Sequence, residues 1–165
     1  MTKDPFRIGV VAPASPIKEA LADKVKALAC DEYGPDKVEI VFHSQCFRSA
    51  GHFAGDDAAR AAAFLEMAHD ADTDAVWFAR GGYGSARILP LVMDKLEDAA
   101  RGKTYLGYSD MGMLLGAMMQ AGFQNLAHGP MPQDLAHDNG EAAVRRALRW
   151  LVERDPASLE PNVAS

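Results

Sequence analysis

Long apolar runs are missing from this sequence of 165 residues. Without a stretch of about 20 apolar residues, no segment reads as a membrane span. Met1 to Val11 carries Lys3, Asp4 and Arg7 and no apolar core, so it does not read as a secretion signal. Cysteine is scarce. Cys30 and Cys46 have neither metal-ligand spacing nor the density of a disulfide framework, which points to core thiols in a reducing compartment. Histidine pairs with metal spacing do not occur, so no metal is expected. Positive charge is in deficit, with 17 Lys and Arg against 23 Asp and Glu and a net charge of -6. The one dense basic group, Arg145, Arg146 and Arg149, reads as the solvated face of a late helix. Nucleic acid and anionic membrane are therefore excluded as partners. Repeats and low-complexity tracts are also lacking. A cytoplasmic, soluble chain is expected.

What is present suits one domain with a real core, since 48% of the residues are hydrophobic. Ile8 to Ala12, a short continuous apolar run, reads as a strand buried on both faces, and Val38 to Phe42, Ala75 to Ala79, Thr104 to Tyr108 and Asn125 to Ala127 read as further strands. Helical patterns alternate with them. Ser15 with Pro16 predicts a helix start, followed by a helix over 17–30 burying Leu21, Val25, Leu28 and Ala29. Asp56 or Asp57 caps a helix to His69 with Ala59, Ala63, Phe64 and Met67 on its apolar side. Ala86 to Met93, Asp94 to Arg101, Met111 to Ala121 and Glu141 to Arg154 follow. Between the second strand and second helix, His43 to Gly55 reads as a long surface loop. The alternation predicts an α/β domain: a mostly parallel sheet of about five strands with helices on both faces, flavodoxin-like or class I amidotransferase-like. Residues 1–155 form this domain. Residues 156–165, with Pro156 and Pro161, read as an interdomain linker.

Ligands bind at the carboxyl ends of strands in such sheets. Three breaks fall there: Pro13 to Pro16, Arg80 to Ser85, and Tyr108 to Asp110. In the last, Gly107-Tyr108-Ser109-Asp110 passes from a strand into a helix. That geometry exposes a serine as a nucleophile, although Met111 stands where the full G-x-S-x-G pattern has glycine. The alternative is a serine that caps the helix. Arg80-Gly81-Gly82-Tyr83-Gly84 either makes a tight turn or turns its amides toward an anion, as a second donor to an oxyanion hole. It matches neither a phosphate loop nor a dinucleotide fingerprint, and no cofactor is expected. None of the five histidines, His43, His52, His69, His128 and His137, is marked by sequence as a base for Ser109.

Arg80 to Pro90, Gly107 to Asp110, His128-Gly129-Pro130 and the opening Ala12 to Ser15, in this order, resemble the N-terminal domain of the LD-carboxypeptidases. This serine peptidase family includes the microcin-immunity peptidases. The resemblance covers Arg7 to about Val163. It implies a cytoplasmic, homodimeric enzyme that needs no metal and releases a C-terminal D-amino acid from a murein tetrapeptide in cell-wall recycling. By resemblance Ser109 is the nucleophile, and the amides of Asp110 and of Gly81 or Gly82 form the oxyanion hole. Pro13, Ser15, Tyr83 and His128 are candidates for substrate binding. The family's triad is Ser-Glu-His, with Glu and His in a second domain beyond these residues. Ser109 alone is then expected to be poorly activated. A non-catalytic peptide-binding module, a microcin-immunity-type peptidase, and an α/β serine hydrolase with its base inside this chain remain as alternatives.

Overall fold

The apolar runs become five parallel strands in a computed structural model that describes residues 5–155 and Ser158. Chain order gives β1 (Phe6–Val11), α1 (Glu19–Tyr33), β2 (Val38–Phe42), α2 (Asp57–His69), β3 (Ala75–Phe78), α3 (Ser85–Val92), α4 (Asp98–Arg101), β4 (Thr104–Gly107), α5 (Met111–Gln120), β5 (Leu126–His128) and α6 (Gly140–Glu153). The strands lie in the order β2-β1-β3-β4-β5, all in parallel register. This is the flavodoxin-like order, and it bears out the expected fold. The expected linker, residues 156–165, lies outside the described residues apart from Ser158.

Side chains alternate across the sheet and split the core in two. Ile8, Val10, Val38, Ile40, Ala75, Trp77 and Leu106 pack under α1 and α6. Val11, Val76, Phe78 and Tyr105 pack under α2, α3 and α5. The inner strands β1, β3 and β4 read as mainly apolar runs because both faces are covered, whereas the edge strands β2 and β5 are largely half-buried. Trp77, Phe78 and Tyr105 are wholly buried in this middle layer.

Several expectations are corrected. The first helix begins at Glu19 rather than at Pro16 or Ile17, and Ser15 caps nothing. The Ile17 amide donates to Cys46 O instead, and residues 13–18 lie outside any helix. Along α1 the buried residue is Ala22, with Leu21 only half-buried. Residues 43–55 are only in part the expected surface loop: residues 48–52 are exposed, but both ends are tucked in. They fold around Ser44–Phe47 as a 3-10 turn, with Gln45 and Cys46 buried. Gln45 accepts from Ala12 N and donates to Ala12 O and Ala54 O, so one amide side chain satisfies three backbone groups. Cys46 is a core thiol pushed up to about 12 by burial, but Cys30 is exposed. Arg145 and Arg149 are not merely solvated, because both pair with Glu32 of α1, and Arg145 also with Asp31.

Candidate active site

At the carboxyl edge, β1 has β2 on one side and β3 on the other, and the chain leaves β1 and β3 toward opposite faces. A crevice opens at such a reversal. The segments following β1, β3 and β4 meet there. Ser15 N donates to Gly81 O at 3.4 Å. Gly82, at φ 120°, lies so close to Ser15 that a Cβ would run into its Oγ. A Cβ on Gly81 would stand 3.1 Å from both Cβ and Oγ of Ser109. The two glycines thus lie between two serines.

Ser109 has φ 60°, in the left-handed region that costs an L-residue about 1–2 kcal/mol. Its side chain is exposed, and its Oγ makes no hydrogen bond among the described residues. The helix-cap alternative fails, because Asp110 occupies the N-cap of α5 and no side chain caps it. Asp110 is pinned twice to the start of α3: Ser85 N donates to its Oδ2 at 2.9 Å, and Ser85 Oγ donates to its carbonyl at 2.6 Å. Among the described residues, no hydrogen bond uses the amide N–H of Gly81, Gly82 or Asp110. Amides without a protein partner, beside an exposed serine, can donate to a developing oxyanion.

Tyr108 donates to Asp134 Oδ1 at 2.8 Å. Burial and the Asp134 carboxylate push the phenol up to about 12, so it stays neutral near pH 7 and cannot serve as a base. Beside it lies a cleft of about 350 Å³ lined by Tyr108, His128, Pro130, Asp134, His137 and Asn139. The His128 ring meets Tyr108 edge-on at 6.1 Å, with no hydrogen bond to Ser109. Elsewhere, His43 Nε2 faces Glu66 while its Nδ1 accepts from Gln45 N, and His69 accepts from Glu97 N. Tyr83 is 82% exposed, and Pro13 is buried with its carbonyl turned to Arg60. The candidates therefore divide: Ser15, Gly81, Gly82, Ser109 and Asp110 come together, while Tyr83 and His128 stand at the margin. Among the described residues no cluster of His, Cys, Asp or Glu is arranged to hold a metal, and no helix is long and apolar enough to cross a membrane.

Three residues that position these loops escaped the sequence reading: Gln45, Asp134 and Arg60. Arg60 is wholly buried, donates to Pro13 O and Gly84 O, and pairs with Asp57. A signal existed for it alone, since Arg60 stands at the helical spacing of Ala63, Phe64 and Met67 on the apolar side of α2.

The fold and this crevice define a doubly wound α/β domain whose candidate chemistry lies at the carboxyl ends of β1, β3 and β4. Residues 8–129 match the family model of the LD-carboxypeptidase N-terminal domain, and the chain belongs to that family. It is 32% identical over 138 residues to the murein tetrapeptide carboxypeptidase of Pseudomonas aeruginosa, covering 78% of this chain and 40% of that protein. It is 33% identical over 147 residues to a Bacillus subtilis protein named "Probable murein peptide carboxypeptidase", covering 88% of this chain and 44% of that one. The crystal structure of muramoyltetrapeptide carboxypeptidase from Oxalobacter formigenes shares the fold, with a TM-score of 0.71 at 21% identity over 87% of this chain and 47% of that chain. The chain thus spans about half or less of the length of the curated relatives it matches.

Proposed function

We propose that this chain carries the nucleophile and oxyanion hole of an LD-carboxypeptidase, which removes the C-terminal D-amino acid of a murein peptide. One observation carries the reading: an exposed, left-handed Ser109 stands against Gly81, and the amides of Gly81, Gly82 and Asp110 have no protein acceptor among the described residues. The names of the two curated relatives supply the substrate class.

Ser109 Oγ attacks the carbonyl carbon of the L,D-amide and loses its proton to a base. The carbonyl oxygen takes up the electron pair and is held by the amides of Asp110 and of Gly81 or Gly82. Collapse of this intermediate breaks the C–N bond, the D-amino acid leaves after its nitrogen gains a proton, and water then hydrolyses the acyl ester. No histidine or carboxylate bonds to Ser109 Oγ among the described residues. We place the base and its partner, a His and a Glu, outside these 165 residues. Residues 1–155 then act as the nucleophile domain and 156–165 as the connection. Ser15, Pro13, Tyr83 and His128 are proposed to border the bound peptide. On this reading the enzyme works in the cytoplasm, as a homodimer, on peptides returned from the wall.

The test is D-alanine release from murein tetrapeptide by the full gene product. Ser109→Ala should abolish turnover while leaving the fold intact by circular dichroism. Release at the wild-type rate by that variant would sink the assignment. Tight binding of the peptide without turnover by the unmutated protein would favour the binding-module alternative.

A further inference from the structure

The two segments that enclose Gly81 and Gly82 are anchored from below by one side chain. Arg60 leaves α2, passes between them and donates through Nη1 to both Pro13 O and Gly84 O. Pro13 lies two residues before Ser15, which touches Gly82 and bonds Gly81 O. Gly84 ends the same glycine turn at φ 115° and is the N-cap of α3. The guanidinium is itself fixed. Nη2 pairs with Asp57, whose carboxylate Arg87 holds through Nε at 3.0 Å from both oxygens and Nη2 at 2.7 Å. The Phe53 ring lies 4.7 Å from the Arg60 guanidinium carbon. A Cβ on Gly84 would come within 2.9 Å of Arg60 Nη1 and 2.8 Å of Phe53, so the turn sits directly on this cation.

Burying a charge is costly unless it is paired and bonded, and here Nε has no hydrogen-bond partner among the described residues. A core that needed only stability would be better served by an apolar side chain of similar volume. What the guanidinium supplies, and an apolar side chain cannot, is one nitrogen that donates to both carbonyls while the other arm of its rigid fork is held by Asp57. We infer that Arg60 is a positioning residue for the reaction: by joining Pro13 O to Gly84 O it sets the distance from the amides of Gly81 and Gly82 to Ser109 Oγ. The inference rests on the reading of Ser109 and Gly81 given under the proposed function.

The test uses the full gene product and measures kcat and KM for D-alanine release together with the thermal midpoint. Arg60→Lys keeps the charge but loses the fork, and Arg60→Met removes both. The expected result is a fall in kcat of about 10²-fold for Arg60→Met, a smaller fall for Arg60→Lys, and KM within about 3-fold of wild type. Lys103→Met is the control. It breaks a comparable buried cation, bonded to Asp70 O and Thr73 O at the opposite edge of the sheet, and should lower the midpoint without changing kcat. Arg60 variants with kcat within about 3-fold of wild type, or a Lys103→Met variant that loses as much kcat at an equal midpoint, would overturn the inference. Should neither Arg60 variant fold, Asp57→Asn weakens the brace from the surface. A fall in kcat with unchanged KM there supports the role, and an unchanged kcat removes it. If Ser109→Ala keeps its activity, the functional reading itself has failed. If only the Arg60 variants keep theirs, the positioning role alone has.

Discussion

Gly81→Ala separates catalysis from stability more cleanly than any other change in the crevice. Gly82 and Gly84 have φ 120° and 115°, so any side chain there strains the backbone and confuses the two effects. Gly81 has no such requirement. An added Cβ would stand 3.1 Å from Ser109 Cβ and Oγ and 3.5 Å from Met131 Cε. Ordinary contact begins a few tenths of an ångström further out, so the serine has to retreat by that amount. Crowding of this kind costs about 1 kcal/mol, at the low end for overpacking. Loss of glycine's freedom in the unfolded chain returns about 0.4–1 kcal/mol. The thermal midpoint should therefore move by no more than about 4 °C. The chemistry has no such compensation. The methyl group intrudes where an oxyanion would meet the Gly81 amide, and loss of one such donor slows turnover by about 10²- to 10³-fold. A hundredfold is about 2.7 kcal/mol in the barrier. The assay pairs thermal unfolding of the variant with D-alanine release by the full gene product. Gly102→Ala, where nothing lies within 4 Å of the added Cβ and the backbone is right-handed, should leave turnover unchanged and raise the midpoint slightly. A Gly81→Ala variant with wild-type kcat and an unchanged midpoint would refute the oxyanion role.

Two further outcomes concern stability. Gly116 lies in the middle of α5 with nothing within 4 Å of an added Cβ, so Gly116→Ala should raise stability by about 0.8–1 kcal/mol and the midpoint by about 2–4 °C in calorimetry; a lower midpoint would mean that α5 cannot accept the methyl group. The Glu32 carboxyl, hydrogen-bonded by Arg149 and Arg145 against its own burial, is held below its ordinary value. The unfolded chain then takes up this proton first as the pH falls through about 4, so the contribution is present at neutral pH and lost in acid. Urea titrations from pH 7 to pH 3 should show Glu32→Gln losing about 1 kcal/mol or less at pH 7 and little at pH 3. Equal losses at both ends would break the argument.

Fold was more legible in the sequence than site, for a physical reason. A strand buried on both faces has to be apolar nearly throughout, so the inner strands β1, β3 and β4 stand out as short runs, and the alternation with helices points to a parallel sheet. The convergence of three segments followed from where the strands end. Local hydrogen bonding was less legible. Ser15 before Pro16 has the chemistry of a helix cap, yet the Ile17 amide is claimed by Cys46 O from a distant segment, and the helix starts later. Gln45 lies in a stretch without periodicity, and nothing in its neighbours tells that it serves Ala12 and Ala54. Arg145 and Arg149 look solvated from α6 alone, because their partners are on α1, more than a hundred residues earlier.

Arg60 shows how these two kinds of information join. Its spacing on α2 places it in the core, and its charge forbids that place unless something inside the core needs a donor. The groups that need it are Pro13 O and Gly84 O, carbonyls of the two turns at the reversal point of the sheet. A parallel sheet brings such turns side by side but does not bond them to each other, since the ladder ends where β1 and β3 end. Between them, among the described residues, run one backbone hydrogen bond, Ser15 N to Gly81 O, long at 3.4 Å, and one from Arg80 Nη1 to Pro16 O at 3.2 Å. The oxyanion hole proposed between the β3 and β4 turns would tolerate only displacements well below 1 Å. To these two bonds the buried cation adds a donor shared by both turns, which is what the proposed positioning role draws on. A charged residue on the apolar face of a helix beneath a strand-order reversal is therefore a sign of loops that must hold still.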